Sequence, residues 1–186
     1  MDIEIENALQ VLKDGGVILY PTYTVWGIGC DAGRTEAGDR IYKIKERDDS
    51  KSLICLVNDI RMLERHVEEV PDPAYDIIEY AQKPTTIIYE HPMGVAPNLI
   101  ASDNSLAIRV TKDTFCNKLI RKLRRPLVST SANRSGMPTP QSYAEIDPLI
   151  LESVDYVVNL HRDKKSVAPS TIIKLKNDGT VKVIRN

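Results

Sequence analysis

Apolar positions first mark a helix: Ile5, Ala8, Leu9 and Leu12 recur at the three- and four-residue spacing that lines one helical face. Gly15-Gly16 interrupts the pattern and Val17-Ile18-Leu19-Tyr20 follows as a short apolar run, so the order reads helix, turn, buried strand. A second periodic stretch over 35–44 carries Ala37, Ile41 and Ile44 on one face and precedes another buried strand at 53–57, an order that is βαβ-like. Strands are predicted over 85–89, 105–110, 127–130 and 155–158, with a helix through Phe115, Leu119, Ile120 and Leu123 between two of them. Ser142-x-x-Glu145 has the form of a helix-starting capping box. Residues 171–175, Asn177-Asp178-Gly179 and 180–184 read as a hairpin, while Pro71, Pro73, Pro92 and Pro97 mark loops. With no repeat and no long linker, the expectation is one α/β domain over 1–186, a mixed sheet with flanking helices.

Alternation along three strands turns up polar groups where a buried sheet would carry none. In 105–110 the apolar Leu106, Ile108 and Val110 share a face, leaving Ser105, Ala107 and Arg109 on the other, which is either a solvated side or the wall of a cleft. Ser129 and Ser131 share a face at the end of 127–131, and Ala132-Asn133-Arg134-Ser135-Gly136 follows; such hydroxyls and amides suit a phosphate or ribose, and equally a capped turn. Arg185 has the parity of Val181 and Val183, so an apolar strand side ends in a guanidinium that needs an anion, unless the chain end frays.

Charge and composition narrow the classes. A net charge of −1 gives no general attraction to nucleic acid or lipid, and 42% apolar with 27% charged residues is an ordinary globular balance. The acidic start Met1-Asp2-Ile3-Glu4-Ile5-Glu6 is unlike a leader sequence, and no apolar run reaches membrane-spanning length, so a cytoplasmic location without membrane contact is expected. Cys30, Cys55 and Cys116 are far apart and predict three reduced, mostly buried thiols; with His66, His91 and His161 equally scattered, no metal site is expected. Lys45, Arg47 and Lys51 cluster between a helix and a strand, as an anion site or a solvated loop. Lys118, Arg121, Lys122, Arg124 and Arg125 form a basic run on a helix, read as a wet face with an RNA contact as the lesser alternative.

Four motifs in order resemble the YrdC/TsaC family of threonylcarbamoyl-AMP synthases. They are Tyr20-Pro21-Thr22-Tyr23-Thr24-Val25-Trp26-Gly27-Ile28-Gly29, Lys45-x-Arg47, Ser129-Thr130-Ser131-Ala132-Asn133-Arg134-Ser135-Gly136 and Pro169-Ser170-Thr171. Tyr23 stands where the family usually has an acid, Trp26 where it has Tyr, and Leu56 where some members have a His. The resemblance implies a YrdC-like twisted open mixed sheet around a large cleft, in a short single-domain form. It implies joining L-threonine, bicarbonate and ATP into threonylcarbamoyl-AMP and pyrophosphate, for threonylcarbamoyladenosine (t6A) in tRNA. Carried over by motif, Thr24, Arg109, Ser129 and Ser170 would hold threonine. Arg47, Lys51, Ser105, Ser131, Asn133, Thr139 and Arg185 would hold ATP, and Lys45 would join Arg47 on the triphosphate as the catalytic pair. Mg2+ would come bound mainly through ATP, and downstream tRNA threonylcarbamoyl-transferase proteins would be partners. The alternative is a YrdC-like paralogue that binds tRNA or double-stranded RNA without this activity.

Overall fold

The computed structural model describes residues 1–46, 53–166 and 169–186. Its helices are α1 (Asp2–Lys13), α2 (Thr35–Ile44), α3 (Ile60–Glu64), α4 (Asp72–Tyr80), α5 (Thr114–Leu123) and α6 (Pro148–Ser153). The strands are β1 (Ile18–Tyr20), β2 (Gly27–Gly29), β3 (Ile54–Val57), β4 (Thr85–Glu90), β5 (Ser105–Val110), β6 (Leu127–Ser131), β7 (Tyr156–Val157), β8 (Thr171–Leu175) and β9 (Val181–Arg185). They form one sheet in the order β7-β1-β2-β6-β3-β5-β4-β8-β9. This is the expected mixed α/β sheet with flanking helices, and no described helix is long and apolar enough to cross a membrane.

Helix α5 shows how local sequence and packing combine. Asp113 caps it by accepting from Cys116 N at 2.8 Å, and Arg124 ends it in the left-handed region at φ 60°. Its buried face of Phe115, Cys116, Leu119, Ile120 and Leu123 packs on α1, which buries Ile5, Ala8, Leu9 and Leu12. Each fully buried Leu, Ile or Phe among them is worth about 1.5–3 kcal/mol relative to exposure. Lys118 and Lys122 reach Asp2 and Glu6 of α1, and Arg125 reaches Asp31, so part of the basic run is paired within the chain. Cys30, Cys55 and Cys116 are free and buried, and burial pushes the Cys55 thiol up to about 12.

Several elements depart from the periodicity. Strands β1 and β3 are separated by β2 and β6, and three successive antiparallel pairings leave them opposed, so β1-α2-β3 is no βαβ unit. Pro71 and Pro73 do not mark a loop: Pro71 is the N-cap of α4 and Pro73 sits in its first turn, where a missing N–H costs nothing. The capping box at Ser142 yields one 3₁₀ turn, Tyr143–Glu145. Ser142 Oγ does bond Glu145 Oε1, but Pro148 biases Asp147 away from helical geometry, and α6 starts afresh with Asp147 capping Leu149 N at 3.0 Å. Helices α3 and α6 are too short to show a period, and Gly27-Ile28-Gly29 has no alternation to read.

Alternation also misplaces Arg185. Val183 pairs with Ile173 while Arg185 pairs with Ile172, so Ile184 is an extra residue that flips the strand's parity. Arg185 therefore faces opposite to Val183, and the supposed apolar side of β9 lies exposed at Val181 and Val183.

Glycines in β2 test this packing. A Cβ on Gly29 would fall 2.2 Å from Val128 O and 2.8 Å from Tyr20 Cε1, whereas one on Gly27 meets nothing closer than 3.4 Å. Gly29→Ala should therefore lower the thermal midpoint sharply or abolish soluble expression, with Gly27→Ala remaining folded; equal midpoints in a thermal melt would refute the packing argument.

Candidate active site in the hydroxyl-lined cleft

Side chains opposite one another in register share a sheet face, and one face collects the polar groups. Gly27 pairs with Ser131, Ser129 with Ile54, and Ile54 with Ala107. Arg109 lies two residues beyond Ala107 on that face. Further along, Thr86 pairs with Ile172 and Ile172 with Arg185. The loop 21–26 between β1 and β2 and the segment leading into β8 complete the walls with Thr22, Thr24, Pro169 and Ser170.

The resulting hollow, about 220 Å³, is lined by Thr24, Arg109, Ser129, Ser131, Thr139, Ser170 and Arg185, seven of the side chains singled out from sequence. A second hollow of about 390 Å³ opens beside it, between the end of α4 and the β5–α5 connection, and the two share Thr22, Thr24 and Arg109. Three other expected residues stand apart. Ser105 begins β5 about 13 Å along the strand from Arg109 and donates to Asp103 at 2.5 Å, which in turn pairs with Lys174. Lys45 is 2% exposed, and its ammonium donates to Ser131 O and Asn133 O, both at 2.6 Å, beneath the loop rather than in the hollow. Asn133 spends its amide N–H groups on Arg134 O and Met137 O, and among the described residues its buried Oδ1 has no partner. Arg47 and Lys51 lie outside the described residues.

Arg109 is the electrostatic centre of the cleft. It is 7% exposed, and among the described residues no hydrogen bond or ion pair holds its guanidinium. Burial is the main influence holding its pKa below the ordinary arginine value; nearby Tyr20, Cys116 and Asp113 oppose this and Arg185 adds to it. A buried cation with no partner among the described residues is costly, and an anion in the hollow would offset that cost. Arg185 donates through Nε and a terminal nitrogen to Ser170 O, at 3.0 and 2.8 Å. Thr86, fully buried under Ser170, bonds the Ser170 hydroxyl at 3.0 Å. Sequence reading missed Thr86, whose apolar neighbours gave it the look of a core strand residue, and Thr22, which stood in a quoted motif without a role. Among the described residues no group of three or more His, Cys, Asp or Glu side chains could hold a metal ion.

Comparison with known proteins bears on this cleft. The Sua5_yciO_yrdC family model, described as telomere recombination, matches residues 10–186. The chain belongs to the Sua5/YciO/YrdC family. A threonylcarbamoyl-AMP synthase of Nitrosococcus oceani is 35% identical over 83% of this chain and 84% of that protein. A putative threonylcarbamoyl-AMP synthase of Methanocaldococcus jannaschii is 34% identical over 97% of this chain and 86% of its own length. The structure of P. abyssi Sua5 complexed with L-threonine superposes with a TM-score of 0.86 at 25% identity; it matches 97% of this chain, which spans 53% of that protein. Escherichia coli YciO has the same fold, with a TM-score of 0.86 over the whole of this chain.

If Arg109 is held in reserve for an anion, removing its charge should help the empty protein. Arg109→Met should raise the stability of the ligand-free protein by about 1–3 kcal/mol in denaturant melts while losing anion binding. A lowered midpoint would mean that the guanidinium is already satisfied within the fold.

Proposed function

We propose that this cleft binds ATP beside L-threonine and makes threonylcarbamoyl-AMP for t6A modification of tRNA. The observation that carries this reading is the buried Arg109, without a hydrogen-bond or ion-pair partner among the described residues, where two hollows meet, surrounded by hydroxyls. A guanidinium there suits a carboxylate, and Thr24, Ser129 and Ser170 supply neutral hydrogen bonds around it. The names of the relatives, threonylcarbamoyl-AMP synthases, and the L-threonine complex of P. abyssi Sua5 support the same choice.

In the proposed reaction the threonine amine and bicarbonate condense to a carbamate with loss of water. A carbamate oxygen then bonds the α-phosphorus as the bond to the departing pyrophosphate breaks. Negative charge grows on phosphate oxygens, so fixed cations and amide donors lower the barrier, each worth ~3–4 kcal/mol. Once the carbamate exists no general base is needed, consistent with a cleft of hydroxyls and cations rather than a Ser-His-Asp set. Ser131, Asn133, Thr139 and Arg185, with Arg47 and Lys51, are assigned to the nucleotide. Ser105 is a more distant member of that set. Lys45, bonded to two carbonyls of the Ser131–Asn133 loop, would act by holding that loop. Mg2+ would enter with ATP, whose phosphate oxygens suit that hard cation. The product would pass to proteins that transfer the threonylcarbamoyl group to tRNA.

Pyrophosphate release by the purified protein tests this. Release should require ATP, bicarbonate and L-threonine together, fall with L-serine, and vanish in Arg47→Ala without loss of the folded state. Tight ATP binding with no release under any combination would reject the synthase in favour of a paralogue that keeps only the cleft.

A further inference from the structure

The middle residue of Lys45-x-Arg47 meets the run after β6. Helix α2 ends at its C-cap Lys45, and Glu46 then turns the chain out of the helix in the left-handed region, at φ 48°. That position ordinarily takes Gly or Asn, because a Cβ is crowded there. A carboxylate at a helix C-terminus also faces the negative end of the macrodipole. Glu46 is thus disfavoured twice by its own backbone, unlike Arg124, whose cation suits the equivalent end of α5. What the carboxylate finds is an ion pair: Arg134 reaches Glu46 Oε1 with one terminal nitrogen at 3.4 Å and Asp147 Oδ2 with the other at 3.1 Å. Asp147 is itself fixed, since its other oxygen caps α6 at Leu149 N. The Glu46 side chain is 68% exposed, so its pair adds little stability, and its consequence is geometric. Next to it, Ser135 N donates to Lys45 O at 2.7 Å, and the Lys45 ammonium holds Ser131 O and Asn133 O. Lys45 fixes how closely the end of α2 approaches the loop; Arg134 fixes the direction in which the chain leaves at Glu46.

We propose that Arg134 is a positioning residue for nucleotide binding: through Glu46 it sets the exit of the chain from α2 toward Arg47, and through Asp147 it anchors that exit to α6. The inference rests on the assignment of Arg47, Ser131 and Asn133 to ATP. Neither Glu46 nor Arg134 lines the two hollows that meet at Arg109, so both act through the residues beside them. Charge alone predicts the opposite effect, because removing an acid near a polyphosphate strengthens its binding. Replacing a left-handed Glu by Gly also relieves crowding in the folded chain. A loss of ATP affinity in a protein that is no less stable is therefore the mark of positioning.

Calorimetric titration with ATP and Mg2+, and separately with L-threonine, reads the wild type, Glu46→Gly, Arg134→Gln and the double variant, alongside thermal melts. Glu46→Gly should keep or raise the thermal midpoint yet weaken ATP roughly two- to fivefold, the scale of an exposed ion pair, with L-threonine affinity unchanged. Arg134→Gln should weaken ATP at least as much, and the double variant no further than Arg134→Gln, because both substitutions break one chain of contacts. Arg134→Lys, which keeps a cation, should recover part of the loss. If Arg134→Gln does not fold, Glu46→Gly decides alone. Unchanged or tighter ATP binding in Glu46→Gly, a parallel loss for L-threonine, or multiplied losses in the double variant would overturn the proposal. A wild-type protein that takes up L-threonine but no ATP would overturn the nucleotide assignment itself, and this inference with it.

Discussion

Cross-strand register is the constraint on which the cleft depends. Gly27, Ser131, Ser129, Ile54 and Ala107 are neighbours because hydrogen-bonded strands bring paired residues to the same side, and a one-residue slip anywhere would turn the hydroxyls to the opposite face. The register is held by close packing at Gly29, where the backbone of β6 leaves no room for a Cβ, and by the apolar residues that alternate with the polar ones. Cys55, Ile108 and Val128, at the intervening positions, are almost wholly buried. The apolar face secures the sheet, and the polar face is positioned as a consequence.

On that frame the site is assembled from short-range bonds that commit protons and lone pairs before any ligand arrives. Lys45 ties down two carbonyls of the loop after β6, Thr86 and Arg185 hold Ser170 from two sides, and Thr22 arranges the turn that presents Thr24. Arg109 is the exception, a buried cation that none of the described residues bonds. Preorganised donors cost little at the moment of reaction, while an unsatisfied cation costs stability until an anion arrives; the cleft uses both arrangements. Two lysines of the basic run on α5 are paired within the chain, Lys118 with Asp2 and Lys122 with Glu6 of α1, exposed pairs that add little stability.

Much of this was legible without coordinates. Helices α1, α2 and α5, the strand β5 and the terminal hairpin follow from periodicity and turn chemistry, which are local properties of the chain. Parity alone placed Ser129, Ser131 and Arg109 on faces that proved to line one hollow. Helix α4 was hidden because Pro71 and Pro73 serve equally for a loop and for a helix start. Arg185 reached the cleft by a bulge, and no alternation rule registers an inserted residue.

By itself, then, the sequence determined the element types, the face on which most polar side chains fall and the family to which the chain belongs, because each depends on spacing or on the order of motifs. Tertiary structure alone decided that β1 and β3 run opposed, that Lys45 lies under a loop instead of in the hollow, that Ser105 stands far from Arg109, and that Thr22 bonds Thr24 and Thr86 bonds Ser170. Those outcomes depend on which distant strands pair and in what register. That choice is made by the whole packed sheet, so no single segment carries it.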